Sequence, residues 1–307
     1  MRYTLHPLAN EKLAALGEAG KAWHAAPPRL VRELEQKWDI VVGQLVEGGA
    51  TALVTRARRS DGREVVLKLG FPDPAFARQI ETIEAAKGCG YVALLAYDST
   101  RHAMLLEALG PSLDQLGLSP EQMIETLCDT LRRAWSVPDP GLIVAPAEEK
   151  AHALGLSVAS LWESLGRPCS ERVITQALTF AERRSAAFDL ERCVVVHGDP
   201  HPANALQVIR PRPGAETGFV FVDPDGFLAD RAYDLGVVLR DWTAEIEAGG
   251  TELARGYCRL LASRSGADET AIWEWGYLER VSTGLYVLEL GGEELGRRFL
   301  DTAEMMA

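Results

Sequence analysis

The feature that most limits the possible folds of this 307-residue chain is a change in the spacing of its apolar residues. Between residues 39 and 69, three short runs rich in Val, Leu and Thr are separated by turn sequences, which is the pattern of an antiparallel meander. The second turn, residues 60–63, contains the Asp-Gly pair typical of β-hairpins. From Ser119 onward the pattern is mainly helical. We therefore expect an α+β protein with two lobes, β-rich in the N-terminal lobe and mainly helical in the C-terminal lobe.

The predicted elements follow a simple order. Short strands are expected in the first third and again inside the helical part: 39–45, 51–58, 64–69, 92–97, 103–108, 193–196, 205–208 and 219–222. Helices are expected around them: the N-terminal segment up to Gln36, 75–87, the segment opened by Ser119, 170–188, and 230 to the end. The boundary between the lobes is predicted near Gly110, which divides the chain into residues 1–108 and 109–307.

Charge and cysteine content disfavour several classes of protein. With 32 basic and 44 acidic residues the formal charge is −12, and an acidic surface repels phosphate backbones, so no nucleic-acid partner is expected. No apolar run reaches the roughly 18–20 residues that span a bilayer, so no membrane segment is expected. The five cysteines are scattered and form no Cys-x-x-Cys pair, which favours reduced thiols in a cytoplasmic protein.

The densest group of polar residues follows the apolar run 194–196. Asp199 comes three residues after this run, and Asn204 lies five residues beyond it. A second apolar run, 219–222, ends directly at Asp223. Apolar strands joined by a short connection tend to pair as a hairpin, so we expect these two runs to pair. The pairing would gather Asp199, Asn204 and Asp223 around one site.

Two carboxylates and an amide are the groups that phosphoryl transfer requires. One carboxylate aligns and deprotonates the acceptor hydroxyl, while the amide oxygen and the second carboxylate hold Mg²⁺ against the phosphates. Asp199 is the expected base, and Asn204 and Asp223 are the expected metal ligands. An Asp-x4-Asn spacing followed by Asp at a strand end is the pattern of the kinase catalytic loop.

The first third of the chain offers a lysine suited to bind phosphate. Lys68 lies on the third strand of the meander, where its amine is expected to reach the α- and β-phosphates of a nucleotide. A lysine in this position needs an anionic partner. Glu81 and Glu84 share one face of the following helix, and Glu81 is the favoured partner.

Two further segments are expected to contact the nucleotide. Gly48 and Gly49 occupy the turn between the first two strands, where backbone N–H groups would approach the phosphates. Glu107 and Ala108 precede the predicted boundary between the lobes, and their backbone is expected to bind adenine. With Lys68 and Glu81, these residues form the predicted nucleotide site of the N-terminal lobe.

The motifs resemble the aminoglycoside phosphotransferase family, in particular its streptomycin 6-phosphotransferase and hydroxyurea phosphotransferase group. The resemblance rests on the segments 197–204, 222–224 and 230–235, and extends in order over residues 44 to 241. It implies a protein-kinase-like fold, ATP with Mg²⁺, transfer of the γ-phosphoryl group to a small-molecule hydroxyl, and a role in antibiotic resistance. It also implies that Asp234 braces the catalytic loop.

The resemblance leaves the acceptor open. A streptomycin-like aminocyclitol suits the acidic balance of the chain, while hydroxyurea or a metabolite could take the same place. Gln79 stands near a position that is often glutamate in the family, so Glu81 and Glu84 both remain candidate partners of Lys68.

Two other classes of function compete with a kinase. A metal-dependent phosphoesterase would use His197, Asp199, His201 and Asp223 as metal ligands. A regulatory pseudokinase would have lost a catalytic residue, whereas the expected base, both metal ligands and the lysine are all present.

Overall fold

The computed structural model of the protein describes residues 7–46, 52–141 and 147–307. Within these ranges a five-stranded antiparallel sheet is followed by a largely helical part. Gly48 and Gly49, predicted to contact phosphate, lie outside the described residues. None of the helices in the described ranges is long and apolar enough to cross a membrane.

The strands of the large sheet lie in the order β1-β2-β3-β5-β4. Their bounds are β1 Ile40–Leu45, β2 Ala52–Arg59, β3 Glu64–Gly70, β4 Leu94–Asp98 and β5 Ala103–Glu107. Four short strands follow within the helical part: β6 Val194–Val196, β7 Ala205–Gln207, β8 Phe219–Phe221 and β9 Phe227–Ala229. The eight strands predicted from the sequence are confirmed, and β9 was not predicted.

The helices surround the strands in both lobes. They are α1 Pro7–Ala15, α2 Gly17–Ala25, α3 Pro27–Trp38, α4 Pro74–Ala86, α5 Pro120–Ala134, α6 Ala147–Ser164, α7 Glu171–Ala186, α8 Ala232–Arg240, α9 Thr243–Ser265, α10 Glu269–Glu289 and α11 Glu293–Met306. Several begin where the sequence indicates. Asp73 caps α4 ahead of Pro74, and Ser119 forms a capping box with Gln122 at the start of α5.

The two faces of the large sheet have different partners because strand side chains alternate. Val65, Leu67 and Leu69 of β3 belong to an apolar cluster with α1 and α3. Val66, between them, points the other way and packs with apolar residues of α4. Lys68 shares the side of Val66, so its ammonium group points toward the helical lobe.

The helical lobe is built around α10, which is buried on nearly every side. Trp273 and Trp275 lie two residues apart and are both buried, at 7% and 2% exposure. The ring of Trp275 packs edge-on against Tyr233 of α8, with 4.9 Å between centroids. Helix α8 crosses α10 closely, since a Cβ on Gly236 would come within 2.4 Å of the Trp275 Cβ.

The small strands pair differently from the expectation. β6 pairs with β9, and β7 pairs with β8, both antiparallel. The predicted pairing of 194–196 with 219–222 is therefore wrong. The reason is that β7 lies nearer in sequence to β8 and forms the hairpin with it, which leaves β6 to pair with the strand that follows the hairpin. The polar ends of β6 and β8 still meet, as described next.

Candidate active site

Lys68 links the two lobes. Its side chain is almost wholly buried, and its ammonium group donates a 2.6 Å hydrogen bond to Oδ1 of Asp223. A second hydrogen bond of 2.6 Å goes to Oε1 of Gln79 on α4. The side chain of Asp223 remains 42% exposed, so this carboxylate faces both the buried lysine and the space between the lobes.

The partner expected for Lys68 is corrected by this arrangement. Gln79, rather than Glu81 or Glu84, contacts the lysine from α4. Successive helical residues are rotated by about 100°, so a residue two positions after Gln79 points to a very different side of the helix. No ion pair joins Lys68 to either glutamate within the described part of the chain.

Asn204 and Asp223 are neighbours at one end of the β7–β8 hairpin. Asn204 immediately precedes β7, and the N–H of Val222 donates a 2.9 Å hydrogen bond to the Asn204 carbonyl. The Asn204 side-chain amide donates to the Asp199 carbonyl at 3.0 Å, which leaves its Oδ1 available. Asp223 itself has a φ of 59°, a left-handed conformation costly for a residue with a Cβ and common at functional sites.

Asp199 lies on the loop after β6, and a cation and a histidine flank its carboxylate. Nη2 of Arg240 donates to Oδ1 at 3.0 Å, and Nε2 of His201 lies 3.5 Å from Oδ2. Burial raises the pKa of Asp199, but the nearby Arg240 and His201 outweigh it and keep the pKa below its ordinary value. The carboxylate is therefore ionised at neutral pH, as a base must be.

His197 organises the loop from within the core. Its ring is fully buried; Nε2 donates to the Val222 carbonyl at 2.8 Å, and Nδ1 accepts from the Asp199 N–H at 3.1 Å. These partners fix the neutral tautomer with its proton on Nε2. Burial lowers the pKa of His197 to about 4, against the smaller upward effect of the bond to Val222. Its role is to join the two loops.

Asp234 braces the same loop, as the resemblance implied. Its carboxylate accepts the backbone N–H groups of His197 at 2.9 Å and Gly198 at 2.8 Å, and the indole N–H of Trp135 at 2.8 Å. Burial raises the pKa of Asp234 to about 6, although these three donors favour the ionised form. The loop that carries Asp199 is thus fixed before any ligand arrives.

Comparison with known proteins agrees with this geometry. A family model described as aminoglycoside/hydroxyurea antibiotic resistance kinase matches residues 37–291. The chain belongs to this family. Its members act as phosphotransferases, so the protein is a kinase that transfers a phosphoryl group to a hydroxyl group.

Individual relatives of the kinase support the same assignment. It is 29% identical over 294 residues to a streptomycin 6-kinase of Streptomyces glaucescens, covering 94% of this chain and 92% of that protein. It is 27% identical over 295 residues to a hydroxyurea phosphotransferase of Kitasatospora aureofaciens, covering 94% and 82%. Among solved structures, the choline kinase LicA of Streptococcus pneumoniae matches with a TM-score of 0.60 at 14% identity, covering 91% and 98%. This last likeness concerns the fold, which is protein-kinase-like.

Apolar side chains of both lobes of the kinase pack together on the side of the sheet that carries Lys68. Val66 and Leu106 of the sheet belong to one cluster with Leu206 and Val222 of the helical lobe. A groove of about 610 Å³ lies elsewhere, along β1 and β2, and reaches Ala108 after β5.

Both the backbone N–H and the carboxylate of Glu107 are engaged within the protein, whereas the sequence predicted a backbone contact to adenine. Its N–H donates to the Ala93 carbonyl at 3.0 Å, so that group is not free for adenine. Its carboxylate accepts the Ala93 N–H at 2.8 Å and forms an ion pair with Arg212. Arg212 lies between β7 and β8, and it also donates to the carbonyls of Gly88 at 2.6 Å and Tyr91 at 2.8 Å.

The sequence reasoning missed three residues of this site. Arg240 lies 41 residues after Asp199, Arg212 lies 105 residues after Glu107, and Gln79 is uncharged. No short motif or charge pairing signals the contacts of the two arginines. For Gln79 the available signal was its place near a position that is often glutamate in the family. The Asp234 brace was found only because it forms part of a family motif.

Proposed function

We propose that the protein is an ATP-dependent O-phosphotransferase whose acceptor is a streptomycin-like aminoglycoside. The observation that carries the proposal is the 2.6 Å contact between Lys68 and Asp223. It brings a phosphate-binding cation of one lobe to a metal-binding carboxylate of the other, next to the loop of Asp199. A triphosphate with its metal needs these two groups side by side.

Each residue of the candidate site has a separate proposed role in phosphoryl transfer. Asp199 orients the acceptor hydroxyl and takes its proton, and Lys68 binds the nonreacting phosphates. Mg²⁺ fits Asn204 and Asp223, because an amide oxygen and a carboxylate are the hard donors it prefers. When bound there, the ion neutralises negative charge on the phosphates.

The nucleotide base is assigned to the junction of the two lobes, next to Ala108. Ala108 and the carbonyl side of Glu107 remain the proposed backbone contacts for adenine, and Gly48 and Gly49 the proposed phosphate contacts. Residues 1–108 then form a nucleotide-binding lobe, and residues 109–307 form the lobe that binds the acceptor. We also propose a cytoplasmic location, where ATP is abundant and the five free thiols would stay reduced.

The choice of a cationic acceptor rests on charge and on the relatives. Asp225 is an exposed carboxylate whose charge interacts with that of Asp199, and the chain as a whole carries a formal charge of −12, so the surroundings of the proposed general base are acidic. Two relatives at 29% and 28% identity are named streptomycin 6-kinase. Acidic side chains beside the reacting hydroxyl favour a substrate bearing guanidinium or ammonium groups.

Hydroxyurea is the second candidate acceptor, because a relative 27% identical over most of both chains is named hydroxyurea phosphotransferase. Hydroxyurea is small and uncharged, so the acidic border would contribute nothing to its binding.

The alternative of a metal-dependent phosphoesterase is disfavoured by His197. Both of its ring nitrogens are engaged within the protein, so neither can bind a metal. Among the described residues, no group of three or more His, Cys, Asp or Glu side chains is arranged to hold a metal ion.

The test measures ADP release from ATP and Mg²⁺ with streptomycin, other aminoglycosides, hydroxyurea and choline as acceptors. We expect release with streptomycin and a product that has gained one phosphoryl group. Asp199→Ala should reduce the release at least about 100-fold, while Asp61→Ala, which removes an exposed carboxylate on the β2–β3 hairpin, should not. Turnover of hydroxyurea alone would contradict the acceptor, and phosphate release without ATP would contradict the kinase.

A further inference from the structure

The short helix α8 contacts the loop that carries Asp199 from both ends of the helix. In its first turn, Asp234 of α8 accepts the backbone N–H groups of His197 and Gly198. At its last residue, Arg240 donates to the side chain of Asp199 at 3.0 Å. The two residues are six positions apart, about 9 Å along the helix axis. The loop is therefore held by its backbone at one end of α8 and by its carboxylate at the other.

The end of α8 that carries Arg240 is itself anchored by a buried guanidinium. Arg280 of α10 is 0% exposed, and its Nη2 donates to the carbonyls of Leu239 at 3.4 Å, Arg240 at 2.6 Å and Asp241 at 3.3 Å. These carbonyls lie at the C-terminus of a helix, where the backbone leaves them without intrahelical partners. Within the described residues no carboxylate lies at ion-pair distance from Arg280. Its charge is therefore placed against the helix end, where it fixes the backbone of Arg240.

The side chain of Arg240 has little freedom. It is 14% exposed, and Asp241 holds it from the far side with Nε and Nη2 each 3.3 Å from Oδ1. Its contact with Asp199 uses Oδ1, which leaves Oδ2, 3.5 Å from Nε2 of His201, as the oxygen available to a ligand. Because a carboxylate turns easily about its terminal bond, fixing one oxygen determines where the other points.

We propose that Arg240 is a positioning residue that holds Oδ1 of Asp199 and thereby presents Oδ2 to the acceptor hydroxyl, with Arg280 anchoring it. This inference rests on the proposed function. In the transfer, the acceptor oxygen forms a bond to the γ-phosphorus, and its proton passes to Oδ2 of Asp199. The bond from the γ-phosphorus to the bridging oxygen breaks, and its electron pair leaves with ADP.

The first test compares Arg240→Gln with the wild type. We expect kcat to fall about 10- to 100-fold, since misplacing a catalytic group by about 1 Å has effects of this size. The KM for ATP should stay within about twofold, because Arg240 does not contact the nucleotide site. Arg184→Gln is the matched control: Arg184 is also 14% exposed and lies 2.6 Å from a carboxylate, that of Glu274. It should lower the melting temperature without this loss of kcat.

The second test separates positioning from a general structural role. In an Asp199→Ala background, adding Arg240→Gln should change kcat by less than about twofold, because Arg240 acts through the missing carboxylate. The same 10- to 100-fold loss in both backgrounds would overturn the proposal. Guanidinium ion should partly restore turnover to Arg240→Ala and not to Asp199→Ala. If Arg240→Gln does not fold, Arg240→Lys replaces it, since it keeps the charge and alters the geometry.

The inference and the acceptor assignment can fail independently. The kinetic comparison is repeated with water as the acceptor, measured as slow ATP hydrolysis, so a failure of streptomycin as substrate leaves it intact. Crystal structures of the wild type and Arg240→Gln give the final criterion. A carboxylate of Asp199 that keeps its orientation without Arg240 would overturn the proposal whatever the substrate.

Discussion

The two charged pairs at the active site are built in opposite ways. Lys68 and Asp223 are 155 residues apart and come from different lobes, so their contact depends on how the lobes lie against each other. Asp199 and Arg240 belong to the same lobe, where α8 and a buried arginine hold them. We infer that the first pair reports on nucleotide binding and the second on turnover. Mutations should separate these two effects.

The largest effect is expected at the pair within one lobe. Asp199→Ala removes the proposed general base, and we expect kcat to fall about 100- to 10,000-fold with little change in the affinity for ATP. Steady-state kinetics together with nucleotide binding by calorimetry would measure both quantities. An unchanged kcat would show that another group takes the proton.

The next effect is expected at the pair between the lobes. Lys68→Ala removes the proposed charge-assisted contact to phosphate, so kcat/KM for ATP should fall about 10- to 100-fold. The loss should appear mainly as weaker nucleotide binding, in contrast to Asp199→Ala. Lys87→Ala, which removes an exposed lysine just after α4, is the control and should leave the kinetics unchanged. Equal ATP affinity in Lys68→Ala and the wild type would contradict the assignment of the Lys68–Asp223 pair to nucleotide binding.

The pH dependence of the free energy of unfolding should show that the buried His197, which joins the two loops, is neutral in the folded state. Its folded pKa of about 4 lies below the ordinary value of 6.5, so between these values the unfolded state binds more protons. The free energy of unfolding therefore falls as the pH is lowered, by about 2 kcal/mol at pH 5 from this group. Asp234, with a pKa raised to about 6, acts in the opposite sense, because its folded state keeps a proton.

Urea unfolding at pH 7 and pH 5 of the wild type and His197→Gln measures this contribution. The stability advantage of the wild type over the variant should shrink by about 2 kcal/mol at the lower pH. An advantage independent of pH would mean that His197 is not held neutral in the folded state.

The smallest effect concerns the partner of Lys68. Gln79→Leu should raise the KM for ATP by about two- to fivefold, because it removes one of the two acceptors that orient the Lys68 ammonium group while leaving its charge in place. Glu81→Leu should leave the KM unchanged. The opposite ranking would restore Glu81 as the partner and contradict the observed contact.

The sequence predicted most of the fold because its signals are local. The Asp-Gly turn at residues 61–62, Ser119 before α5 and the alternation in β3 all act over a few residues. The order of the short strands was harder to predict. Three-residue strands have almost no periodicity, so β9 gave no signal and the partner of β6 was assigned wrongly.

The site was predicted only as far as its motifs extend. Asn204 and Asp223 do meet, but through the β7–β8 hairpin and not through the predicted pairing of 194–196 with 219–222. The ion pair of Asp199 with Arg240 and that of Glu107 with Arg212 could not be predicted, because each joins segments whose separation is fixed only by tertiary packing. Likewise, Gln79 meets Lys68 because of how α4 is rotated, which charge patterns do not reveal.

The β7–β8 hairpin carries residues of the candidate active site at both of its ends. Its base carries Asn204 and Asp223, while Arg212, in the connection at its tip, binds the carboxylate of Glu107 beside the proposed adenine contact. Because the tip and the base belong to one paired unit, we expect a change at one of them to alter the other. Purine preference and cation affinity should therefore change together in this enzyme. To change one without the other, the ion pair between Arg212 and Glu107 would first have to be removed.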